Sequence, residues 1–558
     1  MLLGIDVGGT HTDGACLNAL DMSLVRTVKT PTDPADLSGS LLRNLTELLE
    51  GVDPALISRL VVSGTLGLNA VITNTADPVG ILTTGGPGLP AGFFGRGPLF
   101  KELSGSLDHR GEIVQPQSED EVEEALRRLL SEGAETLAIV GKFSPKNPVL
   151  EESIAETALR LQPGLPCSLS GRLGGLNFPR RLNTAVINSS VLKLYRRFIE
   201  GFNKALHELG LRCPLRFLTS DGGAVDAAHA LQKPVNILAA GPAAGLLGLW
   251  ALTGLTGDGL MIDVGGTSTD LALMADGSPL MTAEGLEIAG KLTSVRSFLT
   301  RSVALGGDSA LWLDGADLKV GPQREGVALA FQPEDLGRRQ PTLTDALNVL
   351  GLSAVGDSEV SHAALARMDA ATSSPEIAAR ALWQAAGMIK KACGDLLGSA
   401  NQRPVYTVDA LRFSRPLTPA RAALLGGPAR ALAGPLAQAL ELPVDVPEEA
   451  AVANAIGAAR SRPCFGAELY ADTAGGRLTI AELGISKKID RNYHLQQAEE
   501  DILAALNQAL ESLPESGPAR IISSESFNQL NAHGRSDRII KVRAQAVPGF
   551  LGQGEGGL

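Results

Sequence analysis

Aromatic residues make up only 4% of the 558-residue chain. Single-stranded nucleic acid is held by stacking bases on aromatic rings along a basic groove. This chain lacks both features: 61 acidic residues outweigh 49 basic ones, for a net charge of −12, and no long basic run occurs. The balance argues against nucleic acid or an anionic membrane surface as a partner. Cysteine is also scarce. Cys16, Cys167, Cys213, Cys393 and Cys464 are odd in number and widely spaced, with no C-x-x-C pair. That argues against a disulfide framework or an iron–sulfur site and leaves buried free thiols. No two histidines stand at helical i, i+4 spacing, which argues against a dedicated transition-metal site. No apolar run reaches the ~18–20 residues that span a bilayer. The N-terminus shows no charged and apolar signal-peptide regions, so the expected location is the cytoplasm.

What the chain does contain is apolar residues at 44% and 64 glycines. This composition suits closely packed α/β units, and the length implies two or three domains. One stretch occurs twice. Ile5-Asp6-Val7-Gly8-Gly9-Thr10-His11-Thr12-Asp13 and Ile262-Asp263-Val264-Gly265-Gly266-Thr267-Ser268-Thr269-Asp270 differ only at His11 and Ser268. Each copy follows an apolar run and precedes another, which predicts strand, glycine turn, strand. Adjacent glycines bring bare N–H groups close to an anion. The hydroxyls of Thr10, Thr12, Thr267 and Thr269 can add donors to phosphate oxygens. Asp6 and Asp263, at the strand ends, are placed to hold hydrated Mg²⁺ against such oxygens. A single copy reads equally well as a plain hairpin. Two copies suggest two related lobes offering phosphate hairpins to one nucleotide.

Along the rest of the chain, short strands alternate with helices, the pattern of a covered, mostly parallel sheet. Three strands are expected over 2–30 and a helix over 36–49. A Pro- and Gly-rich loop is expected over 85–98. A helix over 118–131 has Ser118 as N-cap and Glu121 three residues on, in capping-box spacing. A longer helix over 183–209 carries Arg196 and Arg197 on its polar face. Ala239 to Gly248 opens a small-residue helix with Pro242 near its start. Ser302 to Ser309 reads as a Gly306-Gly307 stop leading into a helix, and 342–397 as mainly helical. Ala422 to Arg430 reads as strand, Gly426-Gly427 turn and helix, and Glu448 to Ala459 as a second small-residue helix. The remainder, 462–558, has one amphipathic helix over 496–510 between strands and a Gly-rich tail.

The paired hairpins resemble the phosphate motifs of the actin, sugar-kinase and heat-shock-chaperone ATPase superfamily. The small-residue helices resemble its connecting helices, and Gly426-Gly427 its adenosine loop. Within that superfamily the chain resembles the hydantoinase A/5-oxoprolinase family. The resemblance rests on residues 6–13, Ser220-Asp221-Gly222-Gly223, 240–245, 263–270, Leu318 to Pro322, Pro341 to Ala346 and Gly426-Gly427. It implies two duplicated ribonuclease H-like, actin-like ATPase lobes. These would be 1–253, with a hydantoinase-type insertion at about 85–180, and 254–461, with a helical insertion at about 285–400. A small C-terminal α+β segment would follow over 462–558.

The family opens cyclic amides such as 5-oxoproline with ATP, and carboxylates ketones. The implied function is an ATP- and Mg²⁺-dependent hydrolase that phosphorylates a cyclic amide or similar small carbonyl compound. It would act with a hydantoinase B-type partner subunit, within a homo- or hetero-oligomer. The alternatives are the ATP-using subunit of a ketone-carboxylase-like complex and a nucleotide-switched regulatory protein. Asp6 and Asp263 would hold the metal. Gly8, Gly9, Thr10, Thr12, Gly265, Gly266, Thr267, Thr269, Gly306, Gly307, Gly426 and Gly427 would hold the nucleotide. Asp13 and Asp270 would either orient an attacking oxygen or cap their own turns. The chain departs from the family where Ser63-Gly64-Thr65-Leu66 replaces His-Gly-Thr-Thr, and where no His precedes the Gly306-Gly307 block.

Overall fold

A computed structural model describes residues 1–558 except 10, 34–35, 96, 283–284, 403–414, 512, 514, 531–535, 547–548 and 553–558. Met1–Gly241, Thr282–Ser297 and Ser461–Leu551 make up one unit; Pro242–Met281 and Phe298–Arg460 belong to the other.

The first unit is built on Leu2–Val7, a strand whose six residues are all buried. Apart from Asp6 the strand carries no polar side chain, as a strand covered on both faces requires. It pairs in parallel with Arg59–Gly64, which pairs in parallel with Leu215–Leu218. On its other side it turns back as His11–Leu17, followed by Leu24–Pro31, both antiparallel. Ala224–Asp226 closes the far edge of this six-stranded sheet. The core includes Leu3, Ile5, Leu45, Val62, Phe202 and Phe217, each such side chain contributing about 1.5–3 kcal/mol on burial. The helix Leu37–Leu48 starts where the Asp36 carboxylate accepts from the Gly39 N–H. The long helix runs Phe178–Glu208, starting ahead of the expected 183 because Asn177 caps it and a proline occupies its first turn.

A second sheet has the order Ile113–Gln115, Phe100–Leu107, Val79–Gly85, Thr136–Gly141, Cys167–Leu169. Its helix Glu119–Ser131 is capped by Ser118 as expected. Glu121 does not close the capping box, because its carboxylate accepts from the Ser104 N–H and hydroxyl on the neighbouring strand. A third, antiparallel sheet holds Gly466–Asp472, Arg477–Ile480, Ile485–Lys488, Ala519–Leu530 and Ser536–Ala546. The helix Leu495–Leu510 buries Ala498, Ile502 and Leu506 in that sheet's core. The last six residues of the expected Gly-rich tail lie outside the described residues.

The second unit repeats the pattern. Gly259–Val264 turns back as Thr269–Ala275 and pairs in parallel with Arg421–Leu425, beyond which lies Val444–Asp445. The two small-residue helices, Ala240–Thr253 and Ala453–Arg460, meet backbone to backbone. A Cβ at Gly248 would stand 1.9 Å from the Ala453 carbonyl oxygen, and one at Gly457 would stand 2.0 Å from that of Ala244. Helices Leu343–Val349, Ser358–Ala366 and Ser374–Asn401 follow the strands.

The helix expected after Gly306-Gly307 is not formed. Ser309–Asp314 is a strand in a hairpin with Asp317–Arg324. The continuous apolar run Ala310 to Leu313 suits a buried helix segment or a strand equally by period, and pairing with Asp317–Arg324 across a turn at Gly315 makes it a strand. Among the described residues, no helix is long and apolar enough to cross a membrane.

Candidate functional site: two glycine hairpins and a cavity beside the first

Both repeated stretches form the same hairpin. Asp6 pairs with Asp13 and Val7 with Thr12 in one; Asp263 pairs with Asp270 and Val264 with Thr269 in the other. The turns close alike. Gly8 N–H donates to the His11 carbonyl at 3.0 Å, and Gly265 N–H to that of Ser268 at 2.9 Å. Each hairpin therefore sets two carboxylates directly opposite each other on one face, an arrangement that is destabilising by itself.

The neighbouring strand treats the two pairs differently. Lys29 faces Asp13 in the register and holds it with contacts of 2.7 and 2.9 Å. Burial nevertheless pushes the Asp13 carboxyl above the usual range, with Lys29 pulling against it. Ser302 occupies the corresponding place beside Asp270. Burial again raises that carboxyl, and the only opposition is a hydrogen bond from Ser302. Asp6 is buried and accepts from the Ser63 hydroxyl at 2.7 Å.

The other expected nucleotide-binding residues fall into three groups. Gly9, Gly266 and Thr267 are exposed at the turns, while Thr10 lies outside the described residues. Thr12 and Thr269 are buried, with their hydroxyls engaged by Thr32 at 2.8 Å and by the Leu305 carbonyl at 2.7 Å. Gly306 and Gly307 strap the second turn. Gly307 and Asp308 donate to the carbonyls of Gly265 and Gly266 at 3.0 and 2.7 Å, and a Cβ at Gly306 would stand 2.4 Å from the Gly266 oxygen. Gly426 has φ +100°, and a Cβ there would stand 2.0 Å from the Val264 carbonyl. Gly427 is exposed, with open space around it.

Mg²⁺ typically takes one or two carboxylates and completes its shell with water and phosphate. Asp6 and Asp263 each offer one carboxylate of that kind, whereas Asp13 is already held by Lys29. Among the described residues, no cluster of three or more His, Cys, Asp or Glu could cage a metal.

Sequence reading did not reach Lys29, whose alternating strand carries no motif, or the strap role of Asp308. It also missed a cavity of about 400 Å³ that Val7, Gly8 and Gly9 share with Thr65, Leu66, Asp77 and Arg197. The cavity gathers four separate stretches of the chain, so no local pattern marks it.

Comparison with known proteins agrees with this geometry. Residues 2–161 match the hydantoinase/oxoprolinase N-terminal region, and 181–464 match the hydantoinase/oxoprolinase domain. The caprolactamase subunit alpha of Pseudomonas jessenii is 27% identical over 386 residues, 63% of this chain and 55% of the relative. The acetophenone carboxylase gamma subunit of Aromatoleum aromaticum is 27% identical over 401 residues, 62% and 53%. The chain thus spans about half the length of the curated relatives it matches. Two solved structures share its fold. The nucleotide-free acetone carboxylase has a TM-score of 0.71 at 19% identity, over 98% of this chain and 87% of that one. The ATP-dependent caprolactamase from Pseudomonas jessenii has a TM-score of 0.70 at 18% identity, over 97% and 87%. With both family regions matched across most of its length, the chain belongs to the hydantoinase/oxoprolinase family.

Proposed function

We propose that the protein is an ATP-dependent enzyme that phosphorylates the carbonyl oxygen of a cyclic amide or similar small compound for ring opening. The reading is carried by the second copy of the hairpin, which repeats the first in register, turn closure and carboxylate pairing. An amide is a poor electrophile. Transfer of the terminal phosphoryl group to its oxygen lets water add to the carbon and the ring C–N bond break, giving an acyl phosphate that a second water hydrolyses.

For the phosphoryl step the protein has to position reactants and stabilise charge. The backbone N–H groups at residues 8–10 and 265–267 would hold phosphate oxygens. Asp6 and Asp263 would hold Mg²⁺, which when bound neutralises phosphate charge. Asp13 or Asp270 would orient the attacking oxygen. Gly427 would adjoin the nucleoside.

A B-type partner subunit, an oligomeric assembly and a cytoplasmic location complete the proposal. The relatives named as caprolactamase and acetophenone carboxylase subunits support a multi-subunit enzyme. The second of these names also supports an alternative reading, the ATP-using subunit of a ketone carboxylase. Ser63, bonded to Asp6 in place of the histidine that the family resemblance implies, favours a slow nucleotide switch as the rival outside enzymology.

ATP turnover by the purified chain, alone and with a B-type partner, separates these readings when 5-oxoproline, hydantoins, lactams or ketones are added. Stimulation by cyclic amides supports the hydrolase. Stimulation only by ketones with bicarbonate replaces it with the carboxylase. Absence of nucleotide binding removes the proposal altogether.

A further inference from the structure

The two glycine turns match in closure and differ in one neighbour. A Cβ at Gly9 finds open space, whereas a Cβ at Gly266 would stand 2.9 Å from Oδ2 of Asp308 and 3.6 Å from its Oδ1. The side of the second glycine that corresponds to the open side of the first is therefore covered by a carboxylate. The backbone fixes that residue at both ends. Asp308 N–H donates to the Gly266 carbonyl at 2.7 Å, and the Asp308 carbonyl accepts from the Glu325 N–H at 3.4 Å.

The fold holds Asp308 by its backbone and makes no use of its side chain. The residue is half-buried, and among the described residues its carboxylate has no hydrogen-bond donor and no ion-pair partner. Both oxygens remain open to solvent. A carboxylate serving only to cap the turn would accept from the turn's N–H groups, and this one accepts from none of them. Burial raises the carboxyl against the pull of Arg324 and Arg339. Arg339 is engaged elsewhere, by Asp335 at 3.2 Å and the Val327 carbonyl at 2.7 Å.

A phosphate seated on the N–H groups of this turn would lie beside a fixed negative charge. Like charges a few ångströms apart repel strongly where water is partly excluded. A divalent cation between them reverses the sign, and Mg²⁺ readily joins a carboxylate to phosphate oxygens.

We propose that Asp308 makes the second turn selective: it turns away a phosphate that arrives without a divalent cation, and it shares that cation when one is present. The first turn, with open space at Gly9, carries no such condition. The inference rests on the proposed function for the presence of phosphate at the second turn, and it adds a device that regulates that same site.

The test titrates the full chain with a non-hydrolysable ATP analogue by calorimetry, once in Mg²⁺ and once in EDTA. Wild type is expected to bind at least about a hundredfold more tightly with Mg²⁺, the scale of an unrelieved like-charge contact. In Asp308→Asn and Asp308→Ala that ratio should shrink by about tenfold or more, chiefly because binding in EDTA tightens. Both variants keep the backbone N–H that straps the turn, and melting curves check that each is folded. A purely structural role would weaken binding equally in both conditions and leave the ratio unchanged. An unchanged ratio in the folded variants, or wild-type binding as tight in EDTA as in Mg²⁺, would overturn the inference. The proposed function fails on a different result, no nucleotide binding by wild type in either condition.

Discussion

Gly9→Ala separates what the fold requires from what a phosphate requires. An added Cβ at Gly9 finds no protein atom within 4 Å, and its φ is not in the left-handed region. The folded chain therefore has room for the methyl group. Alanine also restricts the unfolded chain, which stabilises by about 0.4–1 kcal/mol when the native backbone accepts it. The melting temperature is expected to stay level or rise slightly. A phosphate seated on the turn must approach the same open side, and the methyl would push it off the N–H groups. Loss of one hydrogen bond to a charged group is worth about 1.5–3 kcal/mol, or roughly 10- to 150-fold in affinity. Calorimetric titration with a non-hydrolysable ATP analogue and Mg²⁺, beside thermal melts, measures both quantities. Unchanged affinity would refute the close approach of phosphate to this turn. A clear loss of stability would refute the open space.

Three further outcomes follow from the packing and the buried charges. Gly248→Val drives a side chain into the Ala453 carbonyl, 1.9 Å from the Cβ position. Overpacking of this kind costs about 1–3 kcal/mol, visible as a lower denaturation midpoint. Asp270→Asn should stabilise the chain at neutral pH, because burial raises the native carboxyl above the ordinary 3.8. A raised acid binds more protons when folded, so the gain shrinks as pH falls through the interval above 3.8 and is absent below it. Melts from pH 4 to 8 test this. Lys146, buried against the Tyr470 ring at 4.2 Å, has its ammonium lowered to about 8. The unfolded chain then holds the extra proton between about 8 and 10.5, so stability on its account rises with pH across that window. Lys146→Met should remove that slope.

The local pieces were legible in the sequence because neighbouring residues decide them. An apolar run, two glycines and a second apolar run produce the hairpin, and its duplication marks the two related sheets. Ser118 as a helix cap, the small-residue helices and the strand before Gly426 were legible for the same reason. Ser309–Asp314 was not, since a short continuous apolar run, Ala310 to Leu313, suits either period until Asp317–Arg324 supplies a partner.

The sequence by itself determined the repeated turn chemistry and the pairing of aspartates across each hairpin, since both depend on contacts a few residues apart. Tertiary structure alone decided that Lys29 offsets Asp13 while Ser302 stands beside Asp270. It also decided that Gly306 and Gly307 clamp a turn forty residues upstream, and that Asp77 and Arg197 share a cavity with Gly8 and Gly9. Sheet order and helix packing bring those groups together, and both are set by burying apolar surface over the whole chain.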